Sequence, residues 1–485
     1  MAPIRIRTLP ALAALAVAAT LAGCGGTSSP DCSPASTKGA ILATARSWYL
    51  FDSLIPTTGL DPSDPTLSPA EFLDAITAEA RSQGKDRHFS YLSTKEASAQ
   101  FFEEGTSLGF GIGLRFVGTD RLFVAQVFGD TPGDPSPSPA ALAGLARGDE
   151  LLAIAPTQAA LADPDRQVAA ILAADALTPG ALGAAFSSSV LGTTRWFRLL
   201  RPDGSTAERS ATTAVYSLDP VPGAAAPTIL DSGGRKVGYL ALRTFVGPAV
   251  PLLRQAFATF QAQGVSDLIV DLRYDGGGRL DVASVFLDLL RAGHAGDQKF
   301  WLLHNAQHPE QNAADPFRDE PNAIAPARVA FIVTQGSASA SELVPFALLP
   351  YLGADVALVG ERTYGKPVGQ YGFAGQDCPT LLYLLGFQLA NRDAAAAYFT
   401  GLPDTAFAAA GSSCAAEDDL THATRDPLEA STAAALQWIV DGSCAGGAIP
   451  TTDAPVPLLS RRVVGAAFPG VAEPSLAQRH LPGLF

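Results

Sequence analysis

Apolar residues along this chain recur first with a helical period and then with a strand period. From Lys38 to Leu54, the residues Ile41, Ala45 and Trp48 fall on one face of a predicted helix. Ser68-Pro69-Ala70-Glu71 predicts the start of another, with Ser68 as N-cap, Pro69 at the first position and Glu71 closing a capping box. A small helical region therefore extends to about Phe102. Leu122–Val127 and Glu150–Ile154 read as strands. Beyond the Pro/Ala linker from Pro220 to Pro227 the pattern becomes α/β. It predicts a strand over Val237–Leu242, a helix over Pro251–Gln263 ended by Gly264, and a helix over Leu280–Ala292. Asp267–Leu272 is almost continuously apolar, as a parallel strand buried on both faces would be. Val329–Val333 and Asp355–Val359 are strand-like runs of the same kind. No repeat at a fixed period is evident.

The chain has 485 residues, enough for two or three domains. Its start carries Arg5 and Arg7, an Ala/Leu/Val stretch too short for a comfortable membrane span, and then Leu21-Ala22-Gly23-Cys24. Residues 1–23 thus read as a signal peptide. The last four residues resemble a bacterial lipoprotein box, which implies lipidation of Cys24; an ordinary secretory signal is the plainer alternative. Gly-Gly-Thr-Ser-Ser-Pro after Cys24 reads as a tether. The expected location is the bacterial cell envelope, anchored by lipid and facing the periplasm or exterior.

Without the leader the chain has 47 acidic against 31 basic residues, a net charge of −16. Such a balance argues against nucleic acid as a partner. Cys32, Cys378, Cys414 and Cys444 remain, with no Cys-x-x-Cys spacing, so neither a zinc site nor another metal or cofactor is expected. In an exported protein they predict two disulfides. Of three connectivities, Cys378–Cys414 with Cys32–Cys444 is favoured, because the second bridge would pin both ends of the fold. The tail from 445 to 485 reads as irregular.

Two strand-like runs end in residues with chemistry. Ser337-Ala338-Ser339-Ala340-Ser341-Glu342 follows the first, and Gly365-Lys366, with Gln370 four residues on, follows the second. Serine is a weak nucleophile until a base removes its proton, and a desolvated lysine can be that base. A third run, Asp271-Leu272-Arg273-Tyr274-Asp275-Gly276-Gly277-Gly278, could turn backbone N–H groups toward a developing oxyanion. Taken singly, each has a structural explanation: Ser339 and Glu342 form a capping box, a lone lysine is usually solvated, and three glycines make a tight turn.

Together the three runs closely resemble the tail-specific, or carboxyl-terminal-processing, serine peptidases, over roughly Gly105 to Gln370. The resemblance implies Ser339 as nucleophile, Lys366 as base and Gln370 as the residue that orients it. It implies oxyanion donors at Gly276, Gly277 and Ala340. The core, residues 228–444, would be an α/β peptidase fold of the ClpP/crotonase-like kind. Ser138-Pro139-Ala140-Ala141-Leu142-Ala143-Gly144-Leu145-Ala146-Arg147-Gly148-Asp149 resembles the matching stretch of a bacterial protease PDZ domain, here residues 103–218. In that reading Gly109, Phe110, Gly111, Ile112 and Gly113 bind a peptide carboxylate. Arg166–Ala174 is the groove helix, and Arg195–Leu200 and Ala207–Val215 are closing strands. Protein or peptide substrates with apolar C-termini are the implied partners.

There are departures. Ser339 to Glu361 is about two residues longer than the family's usual spacing, and Pro345 and Pro350 predict a short or kinked helix after Ser339. An acidic residue common there in relatives has no clear counterpart. The alternatives are an inactive binding lipoprotein of the same fold and a hydrolase with a Ser–His arrangement. For the latter, His304 and His308 have i, i+4 spacing but no carboxylate motif; both read as surface or packing residues. The oligomeric state is left open.

Overall fold

The computed structural model describes residues 31–451, apart from 131–135, 179, 376–377, 397 and 411–412. The leader, Cys24 and residues 452–485 lie outside the described residues.

The fold is a mixed α/β, multidomain one. Its central sheet has six strands in the order Ser413–Ala415, Val356–Gly360, Arg328–Val333, Asp267–Asp271, Arg235–Ala241, Thr228–Ser232. All neighbours are parallel except the last pair. Val329–Val333, Val356–Val359 and Leu268–Val270 are fully buried, as unbroken apolar strands require. Helices Ala249–Gln263, Leu280–Leu289 and Ala340–Leu352 pack the largest apolar core on one face, and Ala430–Asp441 covers the other. Parallel order places the chain after Asp271, after Val333 and after Gly360 at one end of three adjacent strands. That is the end at which α/β sheets hold their sites.

A second sheet contains Tyr91–Thr94, Thr380–Asn391, Gln298–His304 and Ala313–Pro316, with Val368–Ala374 paired to Thr380–Asn391. Helices Pro34–Trp48 and Pro69–Ser82 lie against it. Ile41, Phe72, Ile76 and Phe89 share one apolar cluster with Ala338, Tyr364 and Val368. A separate antiparallel sheet is formed by Ile112–Val117, Arg121–Val127, Glu150–Ala155, Thr194–Leu200 and Thr206–Thr212. The helix Val168–Leu177 packs on it, and Thr106–Gly109 pairs with Ala214–Ser217.

Buried charge ties this antiparallel unit to the core. Asp418, buried, pairs with Arg147 and Arg115 from the unit and with Arg273 from the core. Burial would raise its pKa, but the three guanidinium groups outweigh that and hold the carboxyl well below its usual range.

The structure corrects several expectations. The first helix is Pro34–Trp48, followed by a single turn of 3-10 helix at Asp52–Leu54. The helix after Ser339 is not short: it runs for 13 residues, Ala340–Leu352, with Pro345 and Pro350 inside it. Every residue from Ala340 to Leu349 is buried, so packing outweighs the two missing backbone donors. The disulfides join Cys32 to Cys378 and Cys414 to Cys444, not the favoured pairs. The reason is topological. Cys414 sits in the edge strand beside Val356–Gly360, where the chain leaving Ala430–Asp441 returns. Cys32 precedes the first helix, which packs against the sheet that carries Thr380–Asn391.

Candidate active site

Ser339 caps the helix Ala340–Leu352 with φ +57° and ψ −113°, a conformation L residues rarely adopt. The bend turns the chain sharply from Arg328–Val333 into the helix. The neighbouring serines are committed elsewhere. Ser337 Oγ donates to the carbonyl oxygen of Leu272 at 2.7 Å, and Ser341 Oγ to that of Asp275 at 2.8 Å. Both are fully buried, whereas Ser339 retains 8% exposure. The Glu342 N–H donates to the backbone carbonyl of Ser339. Of the three hydroxyls, the one at Ser339 is therefore left available for chemistry.

Glu342 holds the serine and lysine segments together. Its Oε2 accepts the N–H groups of Ser339 at 2.9 Å and Lys366 at 2.8 Å. Its Oε1 accepts from the Gly365 N–H at 2.6 Å and from Thr363 Oγ1 at 2.5 Å. Burial pushes the Glu342 carboxyl up, and these four donors act against the burial. Sequence reading treated Glu342 only as a capping partner; its second role depends on a segment more than twenty residues away.

Lys366 lies just before the strand Val368–Ala374. Its Nζ donates to Gln370 Oε1 at 3.1 Å, and Gln370 Nε2 donates to the Phe89 carbonyl oxygen at 2.7 Å. A register shift between Gly369 and Gln370 accompanies this approach. The Nζ also lies 5.0 Å from the centre of the Phe89 ring. Burial lowers the Lys366 pKa to about 8; Asp86 and Glu342 oppose the shift, and Arg87 adds to it. A lysine so placed is partly neutral at mildly alkaline pH.

The glycine turn meets the serine directly. A Cβ on Gly277, whose φ is +98°, would lie 2.9 Å from Ser339 Cβ and from Ala340 N. Gly277 donates its own N–H to Asp275 Oδ1 at 2.8 Å, so it is not a free oxyanion donor, contrary to expectation. The N–H groups of Gly276 and Ala340 have no partner among the described residues. Asp275 is fully buried, and burial raises its pKa well above the usual carboxylate range.

Residues 86–90 were missed by sequence reading. Asp86, buried, accepts from Phe89 N, Ser90 N, Ser90 Oγ and Tyr49 OH, and so knots a turn that carries Arg87 and Phe89 to the lysine. The local signal was an aspartate followed at three and four residues by acceptable amide donors, a common turn pattern. Gly109 to Gly113 are all buried, and Phe110 and Ile112 belong to the core of the antiparallel unit.

A Ser–His contact does occur. Ser47 Oγ lies 3.0 Å from His308 Nε2, and His308 Nδ1 lies 3.2 Å from Glu310 Oε1. It sits at the C-terminal end of Pro34–Trp48, among carbonyl oxygens capped by Asn305 and Gln307. Carbonyl oxygens would repel an oxyanion. With His308 stacked on Trp48 at 3.9 Å, the group is a packing clasp. No cluster placed to hold a metal ion and no helix long and apolar enough to cross a membrane occurs among the described residues.

Serine, lysine and glycine turn lie in one stretch of chain with an independent match. Residues 236–391 match the model of peptidase family S41. The matched segment contains Ser339, Lys366, Gln370 and the turn at Asp275–Gly278. The chain is 31% identical over 174 residues to a carboxyl-terminal-processing protease of Synechocystis sp., covering 35% of this chain and 37% of that protein. A carboxyl-terminal-processing protease of Picosynechococcus sp. is 27% identical over 262 residues, covering 53% of this chain and 54% of the relative. The matches thus span between about a third and a half of these relatives' length. A putative S41 protease from Bacteroides fragilis has a similar fold, with TM-score 0.54 and 22% identity, over 73% of this chain and 86% of that one. The family match and the sequence relatives support a serine peptidase; the solved structure shows the shared fold.

Proposed function

We propose that this chain is a serine endopeptidase in which Ser339 attacks the peptide carbonyl and Lys366 accepts its proton. The observation that carries this reading is the shared Glu342 Oε2, which ties the backbone of a strained, available serine to that of a desolvated lysine. Attack forms the Oγ–C bond and leaves negative charge on the former carbonyl oxygen. The N–H groups of Ala340 and Gly276 are the donors for that charge. The ammonium of Lys366 then gives its proton to the leaving amine as the C–N bond breaks. Water, deprotonated by the same lysine, releases the acyl group and restores Ser339. Gln370, held by the Phe89 carbonyl, orients Nζ throughout.

Residues 103–218 act as a PDZ-like unit that captures apolar C-terminal tails. Support comes from Ile112–Val117, which ends its sheet and so offers an edge for strand addition. The carboxylate would be held by backbone N–H groups of Gly109–Gly113, since the side chains there face inward. Lipidation at Cys24 anchors the protein in the cell envelope. The sequence Leu21-Ala22-Gly23-Cys24 and two disulfides, which need an oxidising compartment, support this.

Reaction of the purified protein with a fluorophosphonate probe, followed by peptide mapping, tests the central assignment. The label is expected on Ser339; absence of label there, with turnover of an unfolded protein substrate intact, would overturn it.

A further inference from the structure

We propose that Arg87, from the turn preceding the second sheet's first strand, is a positioning residue for Lys366, clamping the lysine's loop from outside the matched segment; this rests on the Ser339–Lys366 reading. Arg87 Nη2 donates to the carbonyl oxygens of Tyr364 at 3.2 Å, of Gly365, and of Phe399 at 3.5 Å. Its guanidinium lies 4.1 Å from the Tyr364 ring centre and 5.4 Å from that of Phe89. One planar group thus fixes the two residues before Lys366 and the loop packed behind them.

That loop has no slack. A Cβ on Gly365 would lie 2.4 Å from the Phe399 carbonyl oxygen and 2.5 Å from the Gly401 nitrogen. Thr363 is bonded to the same loop through its N–H, which donates to Leu402 O. Arg87 closes the remaining side. Its own placement is fixed by the knot around the Asp86 carboxylate, one residue earlier.

The charge of Arg87 has a second effect. The charged and titratable groups around Lys366 are Asp86 and Arg87 from the 86–90 turn, Glu342 from the helix and Tyr364 from its own loop. Gln370 is neutral, and the two N-terminal helices contribute apolar residues to the cluster behind Tyr364. Burial disfavours the ammonium form most; among the charged groups Asp86 and Glu342 favour it and Arg87 opposes it. A guanidinium stays charged at any working pH, so this bias is permanent.

Two substitutions separate the clamp from the charge. Arg87→Lys keeps the charge and loses the planar fork; Arg87→Gln keeps one amide donor and loses the charge. The readout is the rate of fluorophosphonate labelling at Ser339 between pH 6 and pH 10.5, with thermal melts as a folding control. Arg87→Gln is expected to move the acid limb upward, slowing labelling about threefold at pH 7 beyond any loss on the alkaline plateau. Arg87→Lys is expected to keep the limb in place and lower the plateau. If Arg87→Gln does not fold, the plateau of Arg87→Lys decides: a wild-type plateau overturns the proposal. It is equally overturned if both variants keep the wild-type profile, or lose the same fraction at every pH. A wild type that shows no label at Ser339 overturns the dyad reading and this inference with it.

Discussion

Ser339 and Lys366 donate their backbone N–H groups to the same atom, Oε2 of Glu342, at 2.9 and 2.8 Å. Residues 27 positions apart in sequence are thereby fixed relative to each other through main chain, leaving both side chains free to react. Replacing Glu342 with glutamine leaves one acceptor oxygen and puts an NH₂ donor against amide donors. Glu342→Gln is expected to cost about 2–4 kcal/mol, from buried donors left unpaired, and to slow labelling at Ser339 at least tenfold. Urea unfolding and labelling kinetics check both.

Ser339→Ala is expected to abolish peptide hydrolysis with little change in melting temperature. Ser339→Gly should be equally inactive yet more stable, by about 1 kcal/mol, because glycine adopts φ +57°, ψ −113° without a Cβ penalty. A glycine variant no more stable than the alanine variant would contradict the strain assignment.

Lys366 should govern both rate and stability through pH. In the proposed mechanism Lys366 acts as the neutral amine, so the rate should rise with pH through about 8. Exposed lysine in the unfolded chain titrates near 10.5, so the unfolded state binds more protons between these values and stability rises with pH across that window. Below pH 8 the burial cost is present in full, on the order of 3 kcal/mol. Lys366→Met should therefore be inactive, more stable than wild type at pH 6–7, and no more stable above pH 10.5. Melting temperatures measured across this range are the check.

The Cys32–Cys378 bridge spans 346 positions and holds the chain just before the first helix to the sheet behind the site. Replacing both with serine is expected to cost up to about 6 kcal/mol by loop-closure entropy. The rate should fall as well, since Phe89 and Arg87 reach Lys366 from the same N-terminal region. Activity measured below the variant's melting temperature separates the two effects.

Substrates ending in an apolar residue with a free carboxylate are expected to be cut faster than the same chains with an amidated end, read by kcat/KM on matched pairs. Equal rates would remove the tail-capture role of residues 103–218. Gly111→Asp is not a clean probe of that role. A Cβ at Gly111, where φ is +76°, would sit 2.2 Å from Ser138 Cβ, so the variant should destabilise the whole unit.

Much of the arrangement was legible along the chain. The strands ending at Asp271, Val333 and Gly360 follow from unbroken apolar runs, which mark parallel strands covered on both faces. Ser339, Lys366 and the glycine turn could be found because each directly follows such a run. Two errors had one origin, the weighing of local rules without their surroundings. Pro345 and Pro350 argued for a short or kinked helix, whereas burial of Ala340–Leu349 sustains one of 13 residues; the cysteine pairing was argued from chain ends, whereas strand adjacency set it.

By itself, the sequence determined which segments become strands and helices, because period and capping chemistry act over a few residues. It also determined which residue types with reactive side chains stand at the strand ends. Tertiary structure decided which serine of three keeps its hydroxyl, because Ser337 and Ser341 spend theirs on carbonyls of a turn some sixty residues earlier. It decided that Gly277 spends its amide on Asp275, that Glu342 binds two loops, and that Arg87 and Phe89 reach the lysine from the far end of the chain. Those outcomes depend on which surfaces meet on folding, and burial strips water from Lys366 only after they have met.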